Sequence, residues 1–470
     1  MPIDRENTIA ACPWIPILIG LSAATLALLP ADFAGSAAVF SVVAFLTLYA
    51  VCLIPNRWLY LFFAADLLTP PLGGSLGGAG IHLSIAIAGL GLFGGALHLP
   101  AWRLRRSRLL IGFAAFALTL LASLPFAWLY SGWEVASGSA LRIGLFLIGV
   151  YVFGYVLCGP ATGSDERTRF AAFLFVLAAI AAAFACLDYY LQFPAPAGFS
   201  QQYVWLDDGV FRRAQGLFYD ASTLGNFCAF FLLYGLIALF EPGRAGRAWR
   251  VVLAAGALVL ATALILSYSR ASLLNLAIAL AAYTMVRGAG LGRISIGILI
   301  GGAIAMLAIQ VLRPSFAAGY QARIAGSIHF FGERPDSVLS GRLTSWNRLF
   351  EFIAAHPWQA LFGIGYKTLP YTEHMGDPVT ADNTYLSLLV ETGIAGLGSF
   401  LLLLAGILKA TWRVARYASA SASFLGKWAF CFWCGQTVQM LSGDLLTYWR
   451  VLPIYFWALA AALREAEEAP

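Results

Sequence analysis

Charge is scarce in this 470-residue sequence: 11% of residues are Asp, Glu, Lys or Arg, against 60% hydrophobic ones. A soluble domain carries roughly a quarter charged residues, so this chain cannot cover itself with a water-compatible surface. A soluble enzyme and a disordered protein are excluded. Cysteine is missing from the long polar segments. All seven (Cys12, Cys52, Cys158, Cys186, Cys228, Cys431 and Cys434) lie in or beside apolar runs, which excludes a disulfide-stapled secreted domain. Cys431 and Cys434 have C-x-x-C spacing, but inside an apolar run with no second thiol pair or histidine nearby, and they read as packing. No basic run interleaves with aromatics, so nucleic acid is not an expected partner. No internal repeat is visible and the two halves are unlike, which counts against an inverted-repeat transporter. The apolar stretch from Cys12 to Leu29 lacks the basic flank and A-x-A site of a cleavable signal.

What is abundant is apolar sequence in lengths of about 20 residues, the span of a bilayer core. Fourteen such runs start near Pro13, Phe33, Trp58, Ile81, Leu109, Ala140, Phe170, Ser222, Val251, Ser272, Ile294, Tyr385, Trp428 and Val451. The chain is therefore expected to be an all-α, polytopic integral membrane protein of about 12–14 transmembrane helices. The run from Trp58 is short, ending at Leu68 before Thr69-Pro70-Pro71, and the last run is short too. The expected organisation is N-terminal helices over 1–192, an outer loop over 193–221, central helices over 222–312, a long outer loop over 313–383 and C-terminal helices over 384–470. The net charge of +6 sorts by side. The cluster Arg103, Arg105, Arg106 and Arg108 falls on the same side as Arg167, Arg169, Arg244, Arg247, Arg250, Arg287, Arg293, Arg413, Arg416 and Lys427. Cytoplasmic loops collect such residues, so both termini are expected inside.

Nine cations break that rule and face outward: Arg212, Arg213, Arg270, Arg313, Arg323, Arg334, Arg342, Arg348 and Lys367. Arginine suits phosphate because its planar fork donates to two oxygens and never deprotonates. The alternative is that they meet lipid headgroups or pair with Asp207, Asp208, Glu333 and Asp336. Arg270, in LSYSRASLL, lies between two apolar runs. A charge at that depth costs about 2.5–3.5 kcal/mol on insertion scales and reads as functional.

The long outer loop predicts an amphipathic helix in SGRLTSWNRLFEFIAAHPW, capped by Ser340 and ended by Pro357, with Trp346, Leu349, Phe350 and Ile353 as its apolar stripe. Arg342 and Arg348 leave from its polar side, and His356 reads as a turn residue. The glycine-rich bend FGIGYKTLP follows. In ADNTYLSLLVETGIAGLGSF, Asn383 can cap the next helix, Asn383, Ser387 and Glu391 share one face, and Asp382 sits at its mouth. This reads either as a plain capping cluster or as a carboxylate placed to act as a general base. Gly393 and Gly396 would let another helix approach.

Four stretches in order resemble the O-antigen ligase and polysaccharide polymerase superfamily: RRAQGLFYDASTLGNF, SYSRASLL, SGRLTSWNRLFEFIAAHPWQALFGIGY and DNTYLSLLVETGIAGLG. The resemblance covers residues 212–398. It implies a GT-C-like membrane glycosyltransferase of the bacterial inner membrane, working at the periplasmic face without a cofactor or metal. Its donor would be an undecaprenyl-diphosphate-linked glycan and its acceptor a sugar hydroxyl. The other partners it implies are membrane lipids and, for a polymerase, a chain-length regulator. By position, Arg270 and Arg342 correspond to diphosphate-binding arginines, with Arg212 or Arg213 as a further contact. The family's His-Asn pair appears here as Asp382-Asn383, so Asp382 is the expected base, with His374 as a substitute. The missing histidine tilts the reading from ligase to polymerase. Arg348, Asn383, Tyr385 and Glu391 complete the expected substrate-binding set, with Tyr203, Trp205, Trp346 and Tyr385 able to stack on sugars or to form an aromatic belt. A lipid-linked sugar flippase is the rival of another class.

Overall fold

Interruptions in the apolar runs decide where helices start and stop. The computed structural model describes residues 55–287 and 341–468, apart from 77–78, 106, 161–162, 197–198, 207–208, 242–245 and 377. Between those two stretches it describes only Gly319, Gln321, Ala325 and Asp336. The expected spans near Pro13, Phe33 and Ile294, and Arg313, Arg323 and Arg334, lie outside the described residues. Each of the other eleven expected spans contains a helix.

Helix α1 (Arg57–Leu68) stops where Pro70 and Pro71 deny further helical donors. A small hairpin follows, β1 (Leu72–Leu76) with β2 (Ala79–Ile81). Next come α2 (Leu83–Leu97), α3 (Arg108–Ala122), α4 (Leu124–Cys158) and α5 (Ser164–Leu191). The segment expected as the first outer loop holds a hairpin, in which β3 (Tyr203–Leu206) pairs antiparallel with β4 (Gly209–Arg212). Then follow α6 (Ala221–Phe240), α7 (Arg247–Leu266) and α8 (Arg270–Arg287). Helices α9 (Arg342–Ala355) and α10 (Pro357–Phe362) lie in the expected long outer loop, and α11 (Thr384–Tyr417), α12 (Ala420–Gln439) and α13 (Leu452–Glu468) follow. The protein is an all-α polytopic membrane protein in which α4, α5, α6, α7 and α11 are each long and apolar enough to cross a bilayer.

Lipid tails are as apolar as leucine, so membrane helices associate through close packing and interhelical hydrogen bonds. Both are present. In α13 the run Ala458–Ala462 is buried throughout, and Gly435 of α12 lies against the backbone of Asn275 in α8. Asn226 of α6 and Asn275 of α8 both donate to the side-chain oxygens of Gln436 and Gln439 on α12, at 2.6–3.0 Å. Tyr455 of α13 closes the network on Asn226.

Charges separate to the two ends of this bundle. At one end Arg105 pairs with Glu467 and Glu468, Arg167 with Glu465 and Glu468, and Lys427 with Glu241. At the other lie Arg142, Arg213, Arg270, Arg342, Lys367 and Arg450. The two long helices that break, α4 at Gly132 and α11 at Gly393, break at this second end. Discontinuous membrane helices expose backbone where protein or a cavity can satisfy it. Here the 363–369 segment does so: Ile364 and Gly365 donate to the carbonyls of Val390 and Glu391. Gly393 has φ +69°, and a Cβ there would stand 2.2 Å from the carbonyl oxygen of Leu361. The expected role of Gly393 in close approach thus takes another form, a helix break filled by a loop. Gly393→Ala should destabilise the protein by about 1–3 kcal/mol from backbone strain, with the clash in addition, read as a lower melting temperature in detergent. An unchanged melt would show the interlock to be dispensable.

Helix α9 is amphipathic as expected, with two differences. Phe352 rather than Phe350 joins the inner stripe beside Leu349, and Phe350 is exposed. Gly341 occupies the N-cap position, and the Asp336 carboxylate accepts from the Leu343 amide at 2.9 Å and the Thr344 hydroxyl at 2.6 Å; Ser340, the expected cap, lies outside the described residues.

Candidate active site

Three of the cations expected to face outward, Arg213, Arg270 and Arg342, gather at one end of the bundle. Arg270 and Arg342 each open a helix, α8 and α9. A cation there sits at the positive end of the helix dipole, which is unfavourable unless an anion joins it. Arg213 follows β4, and its Nε donates to the Ser267 carbonyl at 2.8 Å, which draws the chain before α6 onto the end of α7. Burial pushes the Arg213 guanidinium below its ordinary value; Asp220 and Tyr448 oppose that shift, while the like charges of Arg342 and Arg270 add to it. The three guanidinium groups therefore share one field. Asp382 faces Arg342 with a carboxylate oxygen 3.4 Å from Nε and half its side chain exposed. Burial and the carboxylates of Asp220, Asp444 and Asp382 raise the Tyr448 phenol, with Arg342 working the other way, so this hydroxyl stays a proton donor.

The backbone around this cluster is unusual. Tyr219, Tyr268, Lys367 and Asp382 all have positive φ, which side-chain-bearing residues adopt rarely and which concentrates at functional sites. A cavity of about 320 Å³ adjoins the cluster, and Asp220 and Tyr448 belong to its wall. Across it, Arg142 of α4 donates to the Lys367 carbonyl at 2.8 Å and lies 4.5 Å from the centre of the Tyr371 ring. Lys367 pairs with Asp444, and Arg450 with Asp66.

Residues 255–402 match the family model described as O-antigen ligase, about a third of the chain. This segment is an O-antigen ligase domain, and it supports the O-antigen ligase and polymerase superfamily. No curated protein matches it. That domain family implies ligase- or polymerase-type activity, glycosyltransferase-like, in a membrane enzyme. The matched segment carries Arg270, Arg342 and Asp382, whereas Arg142, Arg213 and Arg450 lie outside it.

Several expected substrate ligands of this O-antigen ligase relative have other employment. Arg212 is buried and turned away, holding Asp188 of α5 at 3.0 Å and its carbonyl at 3.0 Å. Of the two, Arg213 is the one near Arg270 and Arg342. Glu391 is buried, and its carboxylate accepts from the Leu369 amide at 3.3 Å; it ties down the segment bearing Lys367 and has no access to substrate. Asn383 caps α11, its oxygen accepting from the Tyr385 and Leu386 amides. The Tyr385 hydroxyl donates to the Thr437 carbonyl of α12. Arg348 is on the exposed face of α9. His374 packs against Tyr130, ring centroids 4.6 Å apart, and neighbours His356. Trp346 donates its indole N–H to the Ala381 carbonyl, fixing the chain just before Asp382.

Sequence reasoning missed Arg142, Asp444, Tyr448 and Arg450. For Arg142 and Arg450 the signal was present, since each is a charge set in an apolar run, the criterion applied to Arg270 alone. The Arg212–Asp188 pair gives a clean test of structural employment. Arg212→Met alone should cost about 3–5 kcal/mol by stranding a buried carboxylate. Arg212→Met with Asp188→Leu should recover most of the melting temperature and retain transfer activity. A stable double variant without activity would return Arg212 to the substrate site.

Proposed function

We propose that this protein polymerises undecaprenyl-diphosphate-linked oligosaccharide repeat units, of an O-antigen or exopolysaccharide, at the periplasmic face of the bacterial inner membrane. The observation that carries the reading is the Arg342–Asp382 pair, 3.4 Å apart, in a field shared with Arg213 and Arg270. An acceptor hydroxyl oxygen attacks the anomeric carbon of the donor sugar. The bond from that carbon to the diphosphate oxygen breaks, and its electron pair stays on the diphosphate, whose charge the arginines stabilise. The hydroxyl proton passes to Asp382. Attack opposite the leaving group inverts the anomeric centre. The leaving group is already activated, so neither a metal nor a nucleotide is needed.

Asp382 in place of the family's histidine favours polymerisation. Transfer to lipid A core is the second reading, favoured by the description of the matching family. The test is purified full-length protein in vesicles given lipid-diphosphate glycan on the outer side. A ladder of growing chains, unchanged by a chelator, is the expected result. Transfer to lipid A core without growth would replace polymerase by ligase. A requirement for a divalent ion would remove the metal-independent mechanism, and absence of any transfer would favour a flippase.

A further inference from the structure

Tyr448 stands where the cavity meets the arginine cluster. It follows the short turn Leu445–Thr447 and is fixed through its backbone on both sides. Its amide donates to the Leu445 carbonyl at 2.9 Å, and its carbonyl accepts from the Val451 and Leu452 amides at 3.0 and 3.1 Å. The residue belongs to the cavity wall and is 8% exposed. Its hydroxyl lies over Gly443, where a Cβ would come within 3.3 Å of the phenolic oxygen. Arg342 and Asp382 both act on this phenol, and the phenol acts in turn on Arg213. In the reaction proposed above Arg342 meets the diphosphate and Asp382 takes the acceptor's proton. A group in both fields lies beside the bond that breaks.

Among the described residues the Tyr448 hydroxyl has no hydrogen-bond partner. Three carboxylates act on it, and each is bonded elsewhere. Asp220 accepts from the Thr223 amide and hydroxyl at 2.7 and 2.6 Å and from Gln202 at 3.1 Å. Asp444 pairs with Lys367 and accepts from the Leu446 amide, and Asp382 faces Arg342. The aliphatic part of the cavity wall, Pro71, Leu145, Pro370 and Leu446, has side chains that accept nothing. Burial and the three carboxylates keep the proton on the oxygen, so what the phenol offers is donation. A nearly buried O–H without an acceptor is unfavourable, and the acceptor has to come from what enters the cavity. An unpaired phenol is not by itself a site. The Tyr366 hydroxyl is also without a partner, but it is fully enclosed.

We propose that the Tyr448 hydroxyl donates a hydrogen bond to a substrate oxygen beside the bond that breaks, which makes Tyr448 a further substrate-contacting residue of the transfer. The proposal rests on the glycosyltransferase reading above. Tyr448→Phe is its test, because it removes the hydroxyl, keeps the ring and breaks no hydrogen bond within the protein. Purified full-length protein in lipid nanodiscs is assayed for melting temperature, for transfer from lipid-diphosphate glycan and for binding of farnesyl diphosphate. Tyr448→Phe should melt with the parent. It should lose transfer about fivefold if the acceptor is a sugar oxygen, and up to about a hundredfold if it is a charged diphosphate oxygen. Farnesyl diphosphate separates the two: its affinity falls in parallel for a diphosphate contact and is unchanged for a sugar contact. Tyr366→Phe, which removes the enclosed hydroxyl, should transfer at the parent rate. Transfer and affinity both at the parent's level in Tyr448→Phe would mean that only water meets the hydroxyl, and would overturn the contact. An equal loss in Tyr366→Phe, or a clearly lower melting temperature in Tyr448→Phe, would overturn it too, since the effect would then be one of packing. If the parent itself transfers no glycan, the glycosyltransferase reading fails and farnesyl diphosphate decides the contact. It stands if Tyr448→Phe binds this probe more weakly than the parent, and fails otherwise.

Discussion

Arg270→Ala and Arg342→Ala should each lower glycan transfer about 10²–10³-fold, the usual effect of removing one preorganised donor to a developing negative charge. Neither should unfold the protein. Arg270 and Arg342 stand at the first positions of α8 and α9, so an alanine at either leaves the helix interior intact. Melting temperatures close to that of the parent, together with lost transfer, would separate a substrate role from a structural one. Arg342→Lys keeps the charge but not the planar fork, and should recover only part of the rate. Because Arg342 also faces Asp382, its removal acts on two groups at once. Arg342→Ala combined with Asp382→Asn should therefore fall short of the product of the two single effects. Full transfer by both single alanine variants would end the diphosphate-clamp hypothesis.

The helices were legible because a bilayer imposes one length and one composition on every span. The end of α1 at Leu68 is written in Thr69-Pro70-Pro71, and Arg270 stands out as a lone charge between apolar runs. The breaks in α4 and α11 were not legible. Gly132 and Gly393 look like any other glycines in an apolar run, and only the loop that fills the gap at Gly393 gives it a purpose. Site residues divided by the same logic. Arg213, Arg270, Arg342 and Asp382 share one field because each lies at or just beside the end of an element at the same end of the bundle. Arg212 and Arg213 are adjacent in sequence and part only in three dimensions, since successive residues at the end of a strand point to opposite sides. Glu391 matched the helix-face spacing of Asn383 and Ser387, yet the 363–369 segment covers that face and buries it. Spacing identifies which residues share a face; what lies against the face is tertiary.

Asp382→Asn is the second large effect expected, a loss of about 10²–10⁴-fold in transfer with donor binding retained, because an amide cannot accept the acceptor's proton. The position suits the experiment. Asp382 has φ +43°, and Asp, Asn and His are the side-chain-bearing residues most often found in that region, so Asn and His substitutions leave the backbone as it is. With half the carboxylate exposed, little packing is disturbed. Loss of rate then reports chemistry. Asp382→His puts back the residue type common in the family and a group able to take a proton, and should exceed Asp382→Asn at neutral pH. Its rate should fall on the acid side around about 6.5, the ordinary imidazole value, because protonation occupies the site that must receive the acceptor's proton. If Asp382→Asn transfers glycan at the parent rate, the proton leaves by another route and Asp382 serves only to orient Arg342. If Asp382→His is active without that acid-side fall, the imidazole is acting as a hydrogen-bond donor and the general-base assignment fails.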